Sequence, residues 1–391
     1  MDEITIYGTT WCSDCKRTKK FLGEQRVAYS WVDVEESSDG LAFIESVQDG
    51  GHNVPTVKFG DGEILVEPSN ADLARKLGIS TKAKRDFYDV VIIGGGPTGL
   101  MAAIYLAREG VDCLIVERAG LGGQAGVTER LDNFPGWPDG IPGAELADRL
   151  AEQARGFGVE ILAAQAVTSI ETHDGYRDVH TAGGDEYGAR AMLIASGSTY
   201  ARMGVPGEDD FIGSGIHFCA TCDGPFYKGR PVMVVGGGNS AGEESIFLAR
   251  FASAVTILVR GSKMAASKIV QDKLAEDPKI TIRYNAAVEA FEGDKKLRRV
   301  RVCDKTTDQT EILEPAGVFV FIGLKPNTEF VPREIRRDAN GFLVTGNDLQ
   351  TCMAGVFAAG DVRSGSTKQA ASAVGEGATA ALMIREYLKH S

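Results

Sequence analysis

The chain has 391 residues, of which 43% are hydrophobic and 25% charged, and its formal net charge is −12. This length predicts two or three domains of about 100–200 residues, and this composition is typical of a soluble globular protein. The acidic balance argues against a nucleic-acid or anionic-membrane partner, and no apolar run approaches the ~20 residues of a membrane helix.

The N-terminus and the cysteine content indicate a cellular compartment. The start, MDEITIYG, lacks the basic and apolar regions of a signal peptide. Seven cysteines without an export signal predict a protein of the reducing cytoplasm. In that compartment, CxxC pairs are more often catalytic or metal-binding than structural.

Residues 1–80 have the pattern of a small α/β domain. ITIYG and YSWVDVE alternate like strands, CKRTKKFLGEQ and NADLARKLG are helical in character, and TVKFGDGEILVE predicts a hairpin around Asp61-Gly62. Cys12 and Cys15 lie just after the first strand and at the start of a helix, where the helix dipole stabilises a thiolate. Lys16 and Arg17 would follow in the first helical turn. The polar residues 81–87 are predicted to be a linker.

From Tyr88 onwards the chain contains one internal repeat. An apolar strand, a glycine turn, a helix and a second strand occur in DVVIIGGGPTGLMAAIYLAREGVDCLIVE and again in RPVMVVGGGNSAGEESIFLARFASAVTILVR. Glycines in the GxGxxG spacing allow a tight turn and let the backbone approach a pyrophosphate. They are Gly94, Gly96 and Gly99 in the first copy, and Gly236, Gly238 and Gly242 in the second.

The residue after the second strand distinguishes the two copies. Glu117 stands there in the first copy, where an acid bonds a ribose hydroxyl. Arg260 stands there in the second copy, and a cation at this place suits a 2′-phosphate. The sequence therefore predicts two dinucleotide sites, the second of which favours NADPH over NADH.

The stretch FCATCD carries a second cysteine pair, Cys219 and Cys222, followed by Asp223. An acid beside a thiol is a natural proton donor and acceptor. Two dinucleotide sites with a dithiol favour a flavin, which accepts a hydride and passes an electron pair to a disulfide. A zinc site shared with Cys12 and Cys15 is the competing interpretation, although zinc pairs usually lie about 15–20 residues apart. The remaining cysteines, Cys113, Cys303 and Cys352, are isolated and predicted to be buried small side chains.

A set of motifs from Tyr88 to about Leu388 resembles the low-molecular-weight thioredoxin reductase family. They are GGGPTG, GGQ (122–124), NFPG (133–136), FCATCDG, GGGNSAGEE, IGLKPNT (322–328), GVFAAGDV (355–362) and KQAASAVGEGATAA. The resemblance implies an FAD domain, residues 88–200 and 320–391, interrupted by an NADPH domain, residues 201–319, that carries the dithiol. It also implies a homodimer.

The same resemblance implies roles for single residues. Cys222 would face the flavin, and Cys219 would attack the incoming disulfide. The implied flavin-contacting positions are Gly94, Gly96, Pro97, Thr98, Gly99, Glu117, Gly123, Gln124, Asn133, Val167, Gly360, Asp361, Lys368, Gln369 and Ala370. The implied NADPH positions are Gly236, Gly238, Asn239, Ser240, Glu243 and Arg260.

Two positions depart from the family pattern. Lys368 replaces the usual arginine, and the phosphate-reading HRRxxxR pattern is VRGSKMA in this chain. Arg260 is retained, with Lys263 as a candidate helper.

The front region, residues 2–78, resembles glutaredoxins. The order of its elements matches, and Pro55 in VPT would be the cis-proline of a thioredoxin fold. Glu67, Pro68 and Ser69 stand where glutathione-binding members carry a Gly-Gly turn, which places the chain closer to the mycoredoxin branch. The expected fold is α/β: a thioredoxin-fold domain followed by two Rossmann-like domains for FAD and NAD(P)H.

The expected activity is that of a thioredoxin-disulfide reductase-like NADPH oxidoreductase. Electrons would pass from NADPH through FAD to Cys219–Cys222, then to Cys12–Cys15 of its own front domain. The last acceptor would be a thioredoxin- or peroxiredoxin-type protein or a low-molecular-weight disulfide. The alternatives are a flavin-dependent dithiol oxidase, a relative of the flavoprotein subunit of alkyl hydroperoxide reductase, and a front domain that is only a targeting adaptor.

Overall fold

The structure, a computed structural model, describes residues 4–25, 27–128, 130–131 and 133–390, without the side chains of Glu24, Thr221 and Cys222. It forms two compact units. The first comprises Met1–Val127, Ala144–Gly197 and Thr328–Ser391, and the second comprises Thr128–Gly143 and Ser198–Asn327. Across the described ranges, none of the helices combines the length and apolar character needed to cross a membrane.

The front part of the first unit is a four-stranded sheet with helices, in the arrangement of a thioredoxin fold. The strand order is β2-β1-β3-β4, with β1 and β2 parallel and the other pairs antiparallel. Its core is made by Ile6, Leu22, Val57 and Leu73, each fully buried. The elements are β1 (Ile4–Gly8), α1 (Ser13–Glu24), β2 (Tyr29–Asp33), α2 (Ser38–Val47), β3 (Thr56–Lys58), β4 (Ile64–Val66) and α3 (Asn70–Lys76).

The polar stretch after α3 is bound along the rest of the first unit. The Ser80 carbonyl accepts a hydrogen bond from Ala163 N–H (3.1 Å), and Ala83 N–H donates to the Tyr187 hydroxyl (3.1 Å). Lys84 N–H donates to the Glu160 carboxylate (2.8 Å). The stretch is therefore held at several points, which limits its reach compared with a free linker of the same length.

The remainder of the first unit is built on a seven-stranded sheet with the order β7-β6-β5-β10-β9-β8, in which β21 also pairs with β10. Strands β5, β6, β7, β10 and β21 run parallel, and β5, β6 and β10 are largely buried, as expected of strands covered on both faces. The strands are β5 (Phe87–Ile93), β6 (Cys113–Val116), β7 (Glu160–Leu162), β8 (Val167–Thr172), β9 (Arg177–Thr181), β10 (Glu186–Ile194) and β21 (Val356–Ala358); the helices are α4 (Pro97–Arg108), α5 (Gly123–Gly126), α6 (Gly143–Gly156), α10 (Ala370–His390) and the 3₁₀ helix Gly360–Val362.

The second unit contains a five-stranded parallel sheet of order β12-β19-β13-β14-β15 and a three-stranded antiparallel sheet β16-β17-β18. A short pair, β11-β20, is antiparallel. The strands are β11 (Ser198–Tyr200), β12 (Ile216–His217), β13 (Pro231–Val235), β14 (Ala254–Leu258), β15 (Ile280–Arg283), β16 (Ala286–Gly293), β17 (Leu297–Asp304), β18 (Gln309–Leu313), β19 (Gly317–Val320) and β20 (Leu324–Pro326); the helices are α7 (Ala220–Asp223), α8 (Asn239–Leu248), α9 (Lys268–Glu276) and the 3₁₀ helices Asp209–Phe211 and Gly224–Tyr227.

Two parallel sheets that each carry a strand, a glycine turn and a helix confirm the predicted pair of Rossmann-like folds. In the first unit, α10 packs on α4 at Gly377, where an added Cβ would lie 2.3 Å from the Thr98 carbonyl oxygen. Real Cβ atoms do not approach backbone so closely, so this contact brings the C-terminal helix to the glycine turn.

We therefore expect Gly377→Ala to lower the free energy of unfolding by about 1–3 kcal/mol, the usual cost of overpacking. Gly375 lies in the same helix with no atom near its Cβ position. Gly375→Ala is the matched control and should be neutral or stabilising by up to about 1 kcal/mol, because alanine is the better helix former. Thermal unfolding followed by circular dichroism measures both. Equal unfolding midpoints for the two variants would contradict this packing.

Candidate redox sites

Cys12 is the N-cap residue of α1. Its Sγ accepts a hydrogen bond from the N–H of Cys15 at 3.1 Å, and its carbonyl accepts one from Lys16 N–H. An N–H at a helix start stabilises negative charge on sulfur. The structure thus places the predicted pair at the helix terminus, with a backbone N–H donor on the Cys12 sulfur.

The surroundings of Cys15, in contrast, favour its protonated thiol. It is 1% exposed, and the Cβ of a residue larger than glycine at Gly8 would lie 2.6 Å from its Sγ. Burial raises the pKa of the Cys15 thiol to about 12, and its hydrogen bond with Cys12 acts in the same direction. Reduced Cys15 therefore keeps its proton at neutral pH.

The walls around Cys12 come from three segments. The peptide bond between Val54 and Pro55 is cis, and the Val54 carbonyl oxygen lies 3.6 Å from Cys12 Sγ. Trp11 is 68% exposed beside the pair, and its Nε1 donates to the Glu35 carboxylate at 3.1 Å. The dithiol thus has an exposed aromatic neighbour on its open side.

The chain at Glu67 and Pro68 forms the third segment. Glu67 has φ of +48° and donates its N–H to the Pro55 carbonyl. Arg17 binds the Pro68 carbonyl and the Asp14 carboxylate, both at 2.7 Å. Arg17 is therefore turned toward this loop and toward Asp14, and Lys16 is left as the exposed cation of the first turn.

The first glycine turn lies between β5 and α4 and fits a dinucleotide. Gly94 has φ of +113°, and an added Cβ there would lie 2.4 Å from the Ala195 carbonyl oxygen. At Gly99 the corresponding atom would lie 1.9 Å from the Gly94 oxygen, whereas nothing lies within 4 Å at Gly96. The outer glycines are thus needed for packing, and the middle one leaves the open backbone that a pyrophosphate requires.

Glu117, directly after β6, faces this turn. Its carboxylate accepts hydrogen bonds from Gly95 N–H (2.6 Å) and Ala119 N–H (2.8 Å). Burial raises the pKa of Glu117, and these two donors act against the shift. A ribose hydroxyl that donates to the same carboxylate would also favour its ionised form.

The C-terminal segment meets the same turn. An added Cβ at Gly360 would lie 2.2 Å from Thr98 Oγ1. Burial raises the pKa of Asp361, and the neighbouring ammonium of Lys368 acts against it. Lys368 itself has φ of +58° and donates to the Asp361 and Arg363 carbonyls. A buried carboxyl of this kind fits a hydroxyl-bearing chain such as the flavin's ribityl group.

The other predicted flavin residues are divided between the two units. Asn133 belongs to the segment Thr128–Gly143 of the second unit. In the first unit, Pro97 and Thr98 open α4, Gly123 and Gln124 open α5, Val167 opens β8, and Gln369 precedes Ala370 at the start of α10.

The second glycine turn, between β13 and α8, repeats the design of the first. Gly236 has φ of +151°, and an added Cβ would lie 2.4 Å from the Phe321 carbonyl oxygen. An added Cβ at Gly242 would lie 2.4 Å from Val270 Cγ1, whereas Gly238 is open. The residues fit a second dinucleotide. Those predicted to line it are exposed: Asn239, Ser240, Glu243, Arg260 and Lys263.

The central dithiol lies at the start of α7. Cys219 is disulfide-bonded, and its carbonyl accepts a hydrogen bond from Asp223 N–H (3.1 Å). The Cys222 side chain lies outside the described part of the chain. Asp223 Oδ1 lies 3.3 Å from Nδ1 of the buried His217, whose Nε2 lies 2.7 Å from the Tyr227 hydroxyl. Sequence reasoning missed His217 and Tyr227.

The other cysteines differ in exposure. Cys113 and Cys303 are buried, whereas Cys352 is exposed and donates to the Glu334 carbonyl at 3.3 Å, contrary to the expectation that it is buried. In the described ranges, no group of three or more His, Cys, Asp and Glu side chains is arranged to hold a metal ion.

Comparison with known proteins agrees with these sites. The family model of pyridine nucleotide-disulphide oxidoreductases matches residues 88–377, and that of glutaredoxins matches residues 4–64. Thioredoxin reductase of Treponema pallidum is 38% identical over 301 residues, which cover 77% of this chain and 97% of that protein. A bifunctional thioredoxin reductase/thioredoxin of Mycobacterium leprae is 38% identical over 313 residues, covering 80% and 68%.

A solved structure gives the same result. The crystal structure of thioredoxin reductase from Streptococcus pyogenes is similar with a TM-score of 0.74 at 37% identity, and the match covers 78% of this chain and 99% of that one. The predicted resemblance is thereby confirmed, and the dithiol oxidase and hydroperoxide-reductase alternatives are not favoured. The chain belongs to the pyridine nucleotide-disulphide oxidoreductases, as a thioredoxin reductase-like, flavin- and pyridine-nucleotide-dependent disulfide reductase preceded by a glutaredoxin domain.

Proposed function

We propose that this reductase uses FAD and NADPH and passes its electrons through Cys219 and Cys222 to Cys12 and Cys15, which reduce an external disulfide. The observation that carries the proposal is the contrast within the front pair. Cys12 Sγ accepts an N–H at a helix start, whereas Cys15 is buried with its pKa raised to about 12. Such a pair is arranged for thiol–disulfide exchange, with one attacking and one resolving thiol.

The two glycine turns support the cofactor assignment. FAD would lie on the Gly94–Gly99 turn with Glu117 and Asp361, and NADPH on the Gly236–Gly242 turn with Arg260. When bound, the flavin accepts a hydride from the reduced nicotinamide and passes an electron pair to a disulfide. The domain bounds that follow are 88–200 and 320–391 for FAD, and 201–319 for NADPH.

The exchange steps then involve only cysteines. A Cys219 thiolate attacks Cys12 Sγ, the Cys12–Cys15 bond breaks, and Cys15 takes up a proton. Cys222 next attacks Cys219, which releases Cys12 as a thiolate and reforms the central disulfide. Cys12 then attacks the external disulfide, and Cys15 resolves the mixed disulfide and gives its proton to the departing sulfur.

The bound stretch 81–87 supports delivery within one molecule. Its hydrogen bonds to Tyr187 and Glu160 hold the end of the front domain to the rest of the first unit. We therefore expect the domain with the central dithiol to move, rather than the front domain. A tethered acceptor has an effective concentration toward the millimolar range, which favours it over a free competitor.

A disulfide of thioredoxin or peroxiredoxin type, or a low-molecular-weight disulfide, would be the external acceptor. Trp11, exposed beside Cys12, gives such a partner an apolar contact. The loop at Glu67 and Pro68 argues against glutathione, since it does not carry the Gly-Gly turn. We further propose a homodimer in the reducing cytoplasm.

Replacing single cysteines tests the relay. With NADPH supplied, Cys12→Ser should abolish reduction of the physiological disulfide, because the attacking sulfur is lost, and should leave flavin reduction intact. Cys15→Ser should accumulate a mixed disulfide of Cys12 with Cys219 or with substrate, which mass spectrometry of alkylated peptides detects. Cys352→Ser, at an exposed free cysteine, is the control and should match the wild type. Undiminished acceptor reduction by Cys12→Ser would remove the front domain from the electron path.

Arg260 should carry the preference for NADPH. A hydrogen bond to a charged group contributes roughly 1.5–3 kcal/mol, so Arg260→Ala should raise the KM for NADPH about tenfold or more. Lys263→Ala is the control for a general loss of charge and should have a smaller effect. Steady-state oxidation of NADPH and NADH measures both constants. Equal use of NADH and NADPH by the wild type would contradict the role of Arg260.

A further inference from the structure

Three side chains in the second unit, Asp223, His217 and Tyr227, lie in a continuous series of polar contacts next to the central dithiol. Asp223 Oδ1 lies 3.3 Å from His217 Nδ1, and His217 Nε2 lies 2.7 Å from the Tyr227 hydroxyl. The side chains of His217 and Asp223 are 7% and 13% exposed, and Tyr227 is 8% exposed. The acid that follows the CxxC motif is thus bound to an internal imidazole.

Short elements hold the three groups together. His217 ends β12, whose parallel partner β19 places the Phe319 ring 5.3 Å from the imidazole. Asp223 ends α7 and Tyr227 ends the next 3₁₀ helix. The titratable groups that face His217 in the described part of the unit are Asp223 and Tyr227, and the Arg230 guanidinium lies behind the Tyr227 ring at 5.6 Å.

The contacts of the imidazole allow two arrangements that place a proton between Nδ1 and Asp223. If the Tyr227 hydroxyl donates to Nε2, the neutral ring carries its proton on Nδ1 and donates it to Asp223. If the ring is an imidazolium, Nδ1–H also donates to Asp223, and the tyrosine oxygen accepts from Nε2. Nδ1 carries a proton toward the carboxylate in both arrangements, and this contact orients Asp223.

We propose that His217 is a positioning residue for the central dithiol, which holds the Asp223 carboxylate in the orientation in which it takes a proton from a cysteine thiol and returns it. This inference rests on the proposed role of Asp223 as the proton acceptor. It does not depend on which disulfide is reduced.

The proton balance of the exchange requires such a group. Cys219 gives its proton to Asp223, attacks the acceptor disulfide, and the first acceptor sulfur leaves as a thiolate. Cys222 gives its proton to that thiolate and attacks Cys219, and the second acceptor sulfur leaves with the proton from Asp223. Two electrons and two protons thus pass from the dithiol to the acceptor, and Asp223 regains its starting state.

The test uses full-length protein with its flavin and compares three replacements of His217. His217→Phe keeps a buried ring but loses the polar contacts with Asp223 and Tyr227, and His217→Gln retains a polar group only near the Nε2 position. His217→Asn places an amide N–H near the Nδ1 position and should restore the contact with Asp223. Rapid mixing of the reduced protein with a small disulfide gives the exchange rate. Alkylation of Cys219 by iodoacetamide, read by peptide mass against pH, gives an independent readout.

The expected results form a graded series. Asp223→Asn should slow exchange about 100-fold or more, as loss of a general acid–base does. His217→Phe and His217→Gln should slow it about tenfold and move the pH midpoint of Cys219 alkylation, whereas His217→Asn should stay within about threefold of the wild type. In the Asp223→Asn background, His217→Phe should cause no further loss, because His217 acts through that carboxylate. His173→Phe, which keeps its ring beside Tyr176, is the control and should change neither readout.

Two results would contradict the inference, and the experiment distinguishes them. Exchange that is unchanged by Asp223→Asn would refute the role of Asp223 on which the inference rests, and the inference with it. If Asp223→Asn slows exchange but His217→Phe leaves both readouts unchanged, or lowers the rate equally in the Asp223→Asn background, His217 is not a positioning residue. Flavin absorbance and the thermal unfolding midpoint establish whether each variant is folded. If His217→Phe does not fold, His217→Asn and His217→Gln still test the inference.

Discussion

In the proposed relay, the direction of electron flow depends on the hydrogen bond that the N–H of Cys15 donates to Cys12 Sγ. It places one sulfur at the positive end of α1 and leaves its partner buried, with the pKa of Cys15 raised to about 12. Because the thiolate is the attacking form, exchange with other molecules begins at Cys12 and ends at Cys15 in the proposed relay. The fold supplies this difference between two identical side chains through burial and through the start of a helix.

The same constraint, backbone N–H groups at the start of a helix, is used twice more in the larger part of the chain. Each turn has an outer glycine with positive φ packed against a carbonyl, at Gly94 and Gly236, and a middle glycine that stays open. Glu117 then follows one turn, and the exposed Arg260 follows the other. The two turns therefore share a backbone design and differ in the charge that reads the nucleotide.

Local patterns predicted much of this from the sequence. The GxGxxG turns and the hairpin around Asp61-Gly62 depend on backbone conformation within a few residues, and Gly62 has the positive φ that such a turn uses. Helix α2 was not predicted. It contains Gly40, a weak helix former, which is tolerated because it packs closely against Val32. A local signal was present in Ser37, whose side chain caps the helix by accepting the Gly40 N–H.

The features that could not be predicted depend on residues far apart in the chain. The stretch 81–87 is polar and resembles a free linker, yet Lys84 binds Glu160, 76 positions away, and Ala83 binds Tyr187, 104 positions away. The segment Thr128–Gly143 belongs to the second unit, although it precedes α6 of the first. The contacts of His217 are seen only in the fold, where Asp223 lies at one ring nitrogen and Tyr227 at the other. A histidine two residues before a CxxC motif was the one available signal.

The central claim is that Cys12 and Cys15 are reduced by electrons from NADPH, and an anaerobic titration with NADPH tests it most directly. The full-length chain should take up one electron pair for the flavin, one for Cys219 and Cys222, and one for Cys12 and Cys15. The variant with both Cys12→Ser and Cys15→Ser should take up one pair fewer, with the same flavin spectrum at the end point. Equal uptake by the two proteins would show that electrons do not reach the front domain.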